Sequence, residues 1–173
     1  HQWWGHQVLP ANTLGAKMVV ESMADYTTAK VIEEVKGKAK YRSYLKKASA
    51  KYLELRNRER QVESPLQLTL PNQNYIHYPK GTVVLCALSD YLGDNVLNDA
   101  IKKYVEKVAF QEGRYTTSLE LVEYIQSAVP DSLQYLVKDL LQTVTLYDNR
   151  IKNWTSTPLE NGKYQVDISF LIS

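Results

Sequence analysis

Apolar residues recur at helical spacing along most of this chain, and short breakers separate each run from the next. The clearest run follows Ala16 and contains Met18, Val19, Met23, Ala24, Ile32 and Val35. Residues three and four positions apart share one face of an α-helix, and that face is buried against other helices. The pattern therefore predicts a mainly α fold, a bundle of about seven helices. The predicted helices cover residues 1–9, 16–36, 38–61, 78–92, 94–108, 117–128 and 130–144.

Local signals mark several of these boundaries. Thr117-Ser118-Leu119-Glu120 has the form of a capping box, so a helix is expected to begin there. Gly37 suits the left-handed position after a helix, and Pro79 is tolerated in a first helical turn. Residues 64–74 contain two prolines and show no sustained helical or strand period, which predicts an ordered loop. We expect this loop to approach the functional site, since loops often carry function.

The last part of the chain has a different composition. Residues 151–157 and 163–173 are richer in β-branched and aromatic side chains, and Asn161-Gly162 favours the positive φ angles of a tight turn. We predict a C-terminal β-hairpin that either packs on the helices or begins a sheet continuing past Ser173. The chain then divides into a helical part over residues 1–147 and a hairpin over residues 148–173.

The overall composition is that of a globular protein. Hydrophobic residues make up 44% of the chain and charged residues 23%, and the net charge of +2 is too small to indicate a nucleic-acid partner. Cys86 lies in an apolar run, which predicts a buried, structural thiol, and a single cysteine forms no internal disulfide. No stretch approaches the roughly 20 apolar residues that span a bilayer.

The first residues carry the clearest chemical signal. His1 and Glu21 offer an imidazole nitrogen and a carboxylate oxygen, both of which are ligand types that zinc prefers. Asp25 follows Glu21 by four residues, so both carboxylates share one helix face. There Asp25 either orients a ligating histidine or is simply a solvated acid. Taken alone, His1 would be interpreted as a tag remnant or a disordered terminal residue.

The stretches His1-Gln2-Trp3-Trp4-Gly5 and Val20-Glu21-Ser22-Met23-Ala24 resemble the M1 family of zinc aminopeptidases, whose active-site helix reads H-E-x-x-H-Q-W-[WF]-G. The resemblance implies that His1 is the second zinc histidine and Glu21 the third ligand. It implies that this chain is the second half of a thermolysin-like catalytic domain. The first histidine and the general-base glutamate would then precede His1. On this interpretation the intact protein uses zinc, whereas this fragment alone is inactive and holds zinc poorly.

The spacing of the two expected ligands departs slightly from the family. Glu21 follows His1 by twenty residues, one more than is usual for M1 members. We assign the extra residue to the loop over residues 10–15.

A second stretch, Tyr78-Pro79-Lys80-Gly81, resembles the Y-x-K-G element of the same family. The resemblance implies that Tyr78 donates a hydrogen bond to the oxyanion of the tetrahedral intermediate, a role that suits a phenol because it stays neutral near pH 7. Without the resemblance, Tyr75 would be an equal candidate. His77 is expected to diverge from Tyr78 in an extended segment and to be structural.

The sequence around His6-Gln7 and Tyr75-Ile76-His77-Tyr78 is most similar to bacterial members of this family in which an M1-like domain follows the permease part of an ABC-type transporter. This resemblance implies a peptide substrate for the intact protein, together with a fused permease domain and an association with a bacterial membrane. The cellular location of the fragment itself stays open.

Two other functions fit parts of the sequence. Residues 36–60 hold ten Lys or Arg against Glu54 and Glu59, a net charge of +8, so this helix would contact anionic lipid, nucleic acid or an acidic partner. More often such a run is the solvated side of an amphipathic helix. The other alternative is a helical interaction scaffold that has kept the peptidase fold without catalysis. The residues before His1 would distinguish enzyme from scaffold.

Overall fold

The structure is a computed structural model that describes residues 2–146 and 149–171. Within these residues the fold is mainly α, as predicted. The α-helices are α1 (Met23–Lys36), α2 (Lys38–Arg56), α3 (Gly81–Leu92), α4 (Asp94–Val108), α5 (Ser118–Ala128) and α6 (Gln134–Val137), and the strands are β1 (Arg150–Pro158) and β2 (Tyr164–Leu171). Three π-helical turns join these helices, Met18–Ser22 before α1, Ile76–Lys80 before α3 and Lys138–Gln142 after α6. Short 3₁₀ turns occur at Leu66–Leu68 and Asp131–Leu133.

One hydrophobic core holds the helices together. Helix α1 packs against α2 and α3, and α4 packs against α5. The largest fully buried apolar side chains come from most of these elements and include Met18, Met23, Leu85, Leu97, Tyr104, Leu121 and Ile125. Burying such a side chain contributes about 1.5–3 kcal/mol. Cys86 belongs to this core and is a free thiol, which confirms its predicted burial.

In helix α2 the spacing of Tyr41, Tyr44, Leu45, Ala48, Tyr52 and Leu55 predicts one buried face. Tyr41 is buried, while Tyr44, Leu45, Tyr52 and Leu55 pack against the core from partly buried positions. The helix ends at Arg56, five residues before the predicted end at Gln61. The Glu59 carboxylate accepts from the backbone N–H groups of residues 60 and 61, at 2.8 and 3.0 Å. This local bonding competes with helical hydrogen bonds and favours a turn.

The predicted first helix, residues 1–9, is wrong for the part that the structure describes. Residues 3–8 form a turn in which the Gly5 N–H donates to the Val8 carbonyl at 2.9 Å. Gly5 has a φ of +93°, a conformation that interrupts an α-helix. The segment is nevertheless fixed to α1, because the buried Trp4 indole Nε1 donates to Thr27 Oγ1 at 3.1 Å.

The predicted helix over residues 78–92 begins earlier, since Asn74 is already helical. Pro79 therefore lies inside a helical stretch rather than at its start. Proline has no N–H to donate and crowds the preceding turn of an α-helix. The π turn Ile76–Lys80 changes the bonding pattern at that point, and the Gly81 N–H reaches the Ile76 carbonyl.

The remaining helices follow the sequence signals more closely. The predicted helix start is confirmed at α5, where Thr117 Oγ1 caps the helix by accepting from the Glu120 N–H at 3.3 Å. The Glu120 carboxylate bonds Thr116 Oγ1 at 2.8 Å. The predicted helix over 130–144 is a series of short 3₁₀, α and π pieces that ends at Gln142.

The predicted C-terminal hairpin is present. Strands β1 and β2 pair antiparallel, with Trp154 opposite Ile168 and a bulge between Ile151 and Asn153. Gly162 has a φ of +74° in the connecting turn, as the Asn161-Gly162 pair predicts. Every residue of both strands is exposed, which excludes the first of the two alternatives, packing of the hairpin on the helices, and leaves the longer sheet as a prediction. The predicted division at residues 147 and 148 falls outside the described residues.

The π turns before α1 and α3 cross in close contact. Ser22 Oγ, at the end of the first turn, donates to the His77 carbonyl of the second at 2.6 Å. A Cβ built on Gly81 would lie 2.6 Å from Ser22 Cβ and closer still to its Oγ. Gly81 has an ordinary helical φ of −56°, so the steric contact, not the backbone conformation, requires glycine here.

We predict that Gly81→Ala lowers the free energy of unfolding by about 1–3 kcal/mol, because the added methyl overpacks the crossing. At an open helical position the same substitution would instead stabilise by roughly 1 kcal/mol. Chemical denaturation of Gly81→Ala, Ser22→Gly and the double variant measures the coupling. Removing the Ser22 side chain should recover at least half of the loss from Gly81→Ala. Simple additivity of the two losses would contradict the steric explanation.

Candidate active site

Glu21 lies within the π turn Met18–Ser22 at the N-terminal end of α1. Its side chain is buried, with only 5% of the residue exposed. The Lys17 ammonium lies 3.2 Å from Glu21 Oε1, one turn earlier on the helix. A buried carboxylate is costly unless it meets a cation or hydrogen-bond donors. The site around Glu21 is thus suited to a positive charge next to this oxygen.

Tyr78 lies in the neighbouring π turn, Ile76–Lys80, and its side chain reaches Glu21. The Tyr78 hydroxyl lies close enough to the Glu21 carboxylate for a hydrogen bond to raise its pKa. Burial, followed by this hydrogen bond and the negative charges of Glu21 and Asp25, raises the pKa of Tyr78 to about 12. The phenol therefore keeps its proton at neutral pH. The structure brings together Glu21 and Tyr78, which the sequence separates by more than fifty residues.

Asp25 lies one helical turn after Glu21 and faces the same region. Thr82 Oγ1 donates to Asp25 Oδ2 at 3.3 Å, which connects α1 to the first turn of α3. Burial, with a smaller contribution from the charge of Glu21, raises the pKa of the Asp25 carboxyl. Asp25 is therefore part of the site's wall rather than a fully solvated acid. Its predicted role in orienting a ligating histidine stays a prediction.

His77 is buried at 1% exposure and does not lie in an extended segment, contrary to the expectation from the sequence. It is helical, and its ring centre lies 4.9 Å from that of Tyr78. Burial lowers the pKa of His77 to about 4, against the opposing charge of Glu21. The imidazole is therefore neutral at pH 7 and packs beneath the site, which agrees with the structural role assigned to it.

Glu63 is a residue of the site that no pattern in the sequence predicts. It comes from the loop after α2, and its side chain is 6% exposed. Its carboxylate accepts from Lys80 Nζ, from Arg56 Nε at 2.7 Å and from the Tyr52 hydroxyl at 3.0 Å. Burial alone would raise the pKa of Glu63, but the hydrogen bonds from Lys80 and Arg56 hold it below its usual range.

These contacts give a structural role to Lys80, the lysine of the stretch Tyr78-Pro79-Lys80-Gly81. Lys80 ties the π turn that carries Tyr78 to the loop over residues 57–73 through Glu63. The Lys80 ammonium also lies 5.7 Å from the centre of the Tyr52 ring. An isolated glutamate in a loop has no periodicity or spacing that marks it. Only the path of the chain shows that Glu63 supports Tyr78.

The complete metal-ligand set is not found within residues 2–146 and 149–171. In those ranges no three His, Cys, Asp or Glu side chains are arranged to hold a metal ion. His1, the other predicted ligand, lies outside the described residues. Glu21 is therefore the one predicted ligand whose surroundings are known.

A comparison with protein-family models matches residues 1–142 to the peptidase family M1 domain. The chain belongs to peptidase family M1. The match covers every candidate site residue, and it gives this M1 domain a peptidase-related function. No curated protein sequence matches the chain. In the part that the structure describes, no helix is both long and apolar enough to cross a membrane.

We predict that Glu63→Gln lowers the free energy of unfolding by about 2–4 kcal/mol, because Lys80 and Arg56 lose a buried counter-charge. Glu54→Gln is the matched control. Glu54 pairs with Lys51 and Arg58 at exposed positions, so its loss should cost under about 0.5 kcal/mol. Urea denaturation of both variants measures the difference. Equal, small losses would show that the Glu63 contacts contribute little.

The lowered pKa of His77 predicts an acid-sensitive fold. Below about pH 6.5 His77 is protonated in the unfolded chain, whereas in the folded chain it stays neutral down to about pH 4. Stability should therefore fall as the pH drops through this window, by on the order of 2–3 kcal/mol from this group. Denaturation at several pH values in EDTA, with His77→Gln for comparison, measures its share. Glu63 and Asp94 also destabilise the fold on acidification, so part of the pH dependence should remain in His77→Gln. A pH dependence equal to that of the unmodified chain would contradict the assignment to His77.

Proposed function

We propose that the intact protein containing this M1 domain is a zinc-dependent aminopeptidase, which hydrolyses N-terminal peptide bonds with a metal-activated water. The observation that carries the proposal is the contact between Tyr78 and Glu21. A neutral phenolic donor lies against a buried carboxylate of a metal-ligand type. The family match over residues 1–142 supports the same reaction class.

Glu21 fits the role of a metal ligand by its chemistry and its surroundings. Its carboxylate offers oxygen donors on a helical turn, and it already lies 3.2 Å from the Lys17 cation. We propose that Glu21 and His1 hold zinc together with a histidine that precedes His1 in the family pattern. When bound, zinc would polarise the substrate carbonyl and activate water.

The proposed role of Tyr78 follows from its protonation state. A phenol with a pKa of about 12 is neutral at pH 7 and donates its proton in a hydrogen bond. The carbonyl oxygen of the scissile bond gains negative charge as the tetrahedral intermediate forms, and the Tyr78 O–H would then donate to this oxygen instead of to Glu21. Because the donor is fixed in advance by its π turn, little reorganisation is needed.

The other residues of the site hold these two in place. Asp25, bonded to Thr82, supports the face of α1 that carries Glu21. Lys80 and Glu63 fix the turn that carries Tyr78. Such contacts act on the position of the reacting groups rather than on the reaction itself, and small displacements at an active site are costly in rate.

Part of the proposed machinery is not among the 173 residues. In the family pattern the general base and one zinc histidine come before His1, so these residues alone should show no peptidase activity. The permease domain suggested by the resemblance is likewise a prediction. The reading frame upstream of His1 tests both expectations, since it would contain the H-E-x-x pair and any membrane spans.

We predict that the protein extended upstream to include H-E-x-x cleaves an aminoacyl reporter in a zinc-dependent manner. In it, Tyr78→Phe should lower kcat about 10²–10³-fold with little change in KM, because the lost bond forms mainly in the transition state. Tyr91→Phe, at a 64% exposed position on α3, is the control and should leave kcat unchanged. Zinc-dependent cleavage by the 173 residues alone, or a fully active Tyr78→Phe, would refute the proposed roles.

A further inference from the structure

A cavity of about 300 Å³ opens beside Tyr78, between α2 and the paired starts of α1 and α3. One wall is formed by the α1 and α3 side of the site, which contributes Asp25, Tyr78, Pro79 and Thr82. The opposite wall is α2, which contributes Tyr44, Lys47, Ala48 and Lys51. A volume of this size holds one amino-acid side chain and leaves room for water.

The charge of the α2 wall is positive. Lys47 and Lys51 lie one turn apart on α2 and both are exposed at the cavity mouth. Lys51 has a surface pair with Glu54 at 3.3 Å, which is weak because both side chains are about half exposed. Within residues 2–146 and 149–171, Lys47 has no acidic partner at ion-pair distance. Both ammonium groups can therefore bind an anion that enters the cavity.

The remaining lining fits the rest of an acidic residue. Tyr44, Ala48 and Pro79 provide apolar surface for the methylene groups of a side chain. Asp25, on the Tyr78 side, presents a carboxylate that accepts hydrogen bonds. A peptide residue carries N–H donors on its backbone, and an acidic one carries its acceptors at the end of the side chain. The two walls match this polarity, with Asp25 towards the backbone and the lysines towards the side-chain end.

We propose that this cavity is a substrate side-chain subsite that selects an acidic residue, Asp or Glu, next to the scissile bond, with Lys47 and Lys51 as its specificity-determining residues. The inference rests on the proposed function, since it assigns the substrate of the same site. It also gives a role to part of the basic run on α2. Lys38 and Lys46 of that helix do not line the cavity.

Peptide binding to the 173-residue chain in EDTA tests the subsite without requiring catalysis. The probes are Glu-Ala-Ala and Ala-Glu-Ala, each compared with its Gln and Lys counterparts and titrated by NMR at low salt. We expect the better Glu peptide to bind about fivefold or more tightly than its Gln counterpart, as one or two partly exposed ion pairs would give. The preference should shrink as salt is raised.

The variant Lys47→Ala/Lys51→Ala should remove the preference for Glu over Gln, because it weakens binding of the Glu peptide far more than binding of the Gln peptide. Lys38→Ala/Lys46→Ala is the matched control, because it removes the same charge from the same helix outside the cavity. Thermal unfolding of both variants checks that the fold is kept. A preference that survives Lys47→Ala/Lys51→Ala, or that falls equally in the control, would overturn the assignment to these lysines.

Other outcomes also count against the proposal. Equal binding of the Glu and Gln peptides, or no binding up to about 10 mM, would show that the cavity does not select acidic residues. Tightest binding of a Lys peptide, lost in Asp25→Asn, would make Asp25 the selecting group. Tighter binding of anionic vesicles or single-stranded DNA, lost in the control variant as well, would favour a membrane or nucleic-acid surface on α2.

A parallel hydrolysis assay on the upstream-extended protein separates the two proposals. Selective peptide binding without zinc-dependent cleavage would remove the aminopeptidase function and leave an acidic-peptide binding site. Cleavage that treats Glu and Gln substrates alike would keep the aminopeptidase function and remove the subsite. The Lys47→Ala/Lys51→Ala variant should lower kcat/KM for the Glu substrate about five- to tenfold and that for the Gln substrate by much less.

Discussion

The site depends on the close crossing of two π-helical turns, one before α1 and one before α3. Gly81 allows this crossing because the Ser22 side chain occupies the space where a Cβ would lie. Ser22 then bonds the His77 carbonyl across the contact. A π turn spaces its side chains differently from an α turn and is often found at functional positions. Here the two turns carry Glu21 and Tyr78, and their side chains come together at this crossing.

The electrostatics of the site follow from how little water reaches it. Each buried charge has a compensating contact, Glu21 with Lys17 and Glu63 with Lys80 and Arg56. His77 meets the same constraint differently, by staying neutral. Burial also keeps Tyr78 protonated, which leaves one neutral donor beside one anionic acceptor. The α2 side of the site is different, because Lys47 and Lys51 remain exposed and available to a ligand.

The π turn before α1 also bears on the spacing of the expected zinc ligands. Glu21 follows His1 by one residue more than is usual in the family. We assigned the extra residue to the loop over residues 10–15, but a π turn also contains more residues than an α turn. The turn Met18–Ser22 therefore offers a second place for it, inside the helix that carries Glu21.

The sequence by itself determined the helical class, the apolar face of α2, the capped start of α5 and the hairpin turn, because these depend on periodicity and on contacts between near neighbours. The first predicted face was right only in part, since Met18, Val19, Met23 and Ala24 are buried but Val35 is 72% exposed. Its motifs predicted Glu21 and Tyr78 as residues of one site, and helical spacing added Asp25. Tertiary structure decided the rest. The early start at Asn74, the turn at Gly5, the support from Glu63 and the lysine-lined cavity all depend on which distant segments are packed together. No local pattern encodes such contacts, since their energies arise only when the folded chain removes these groups from water.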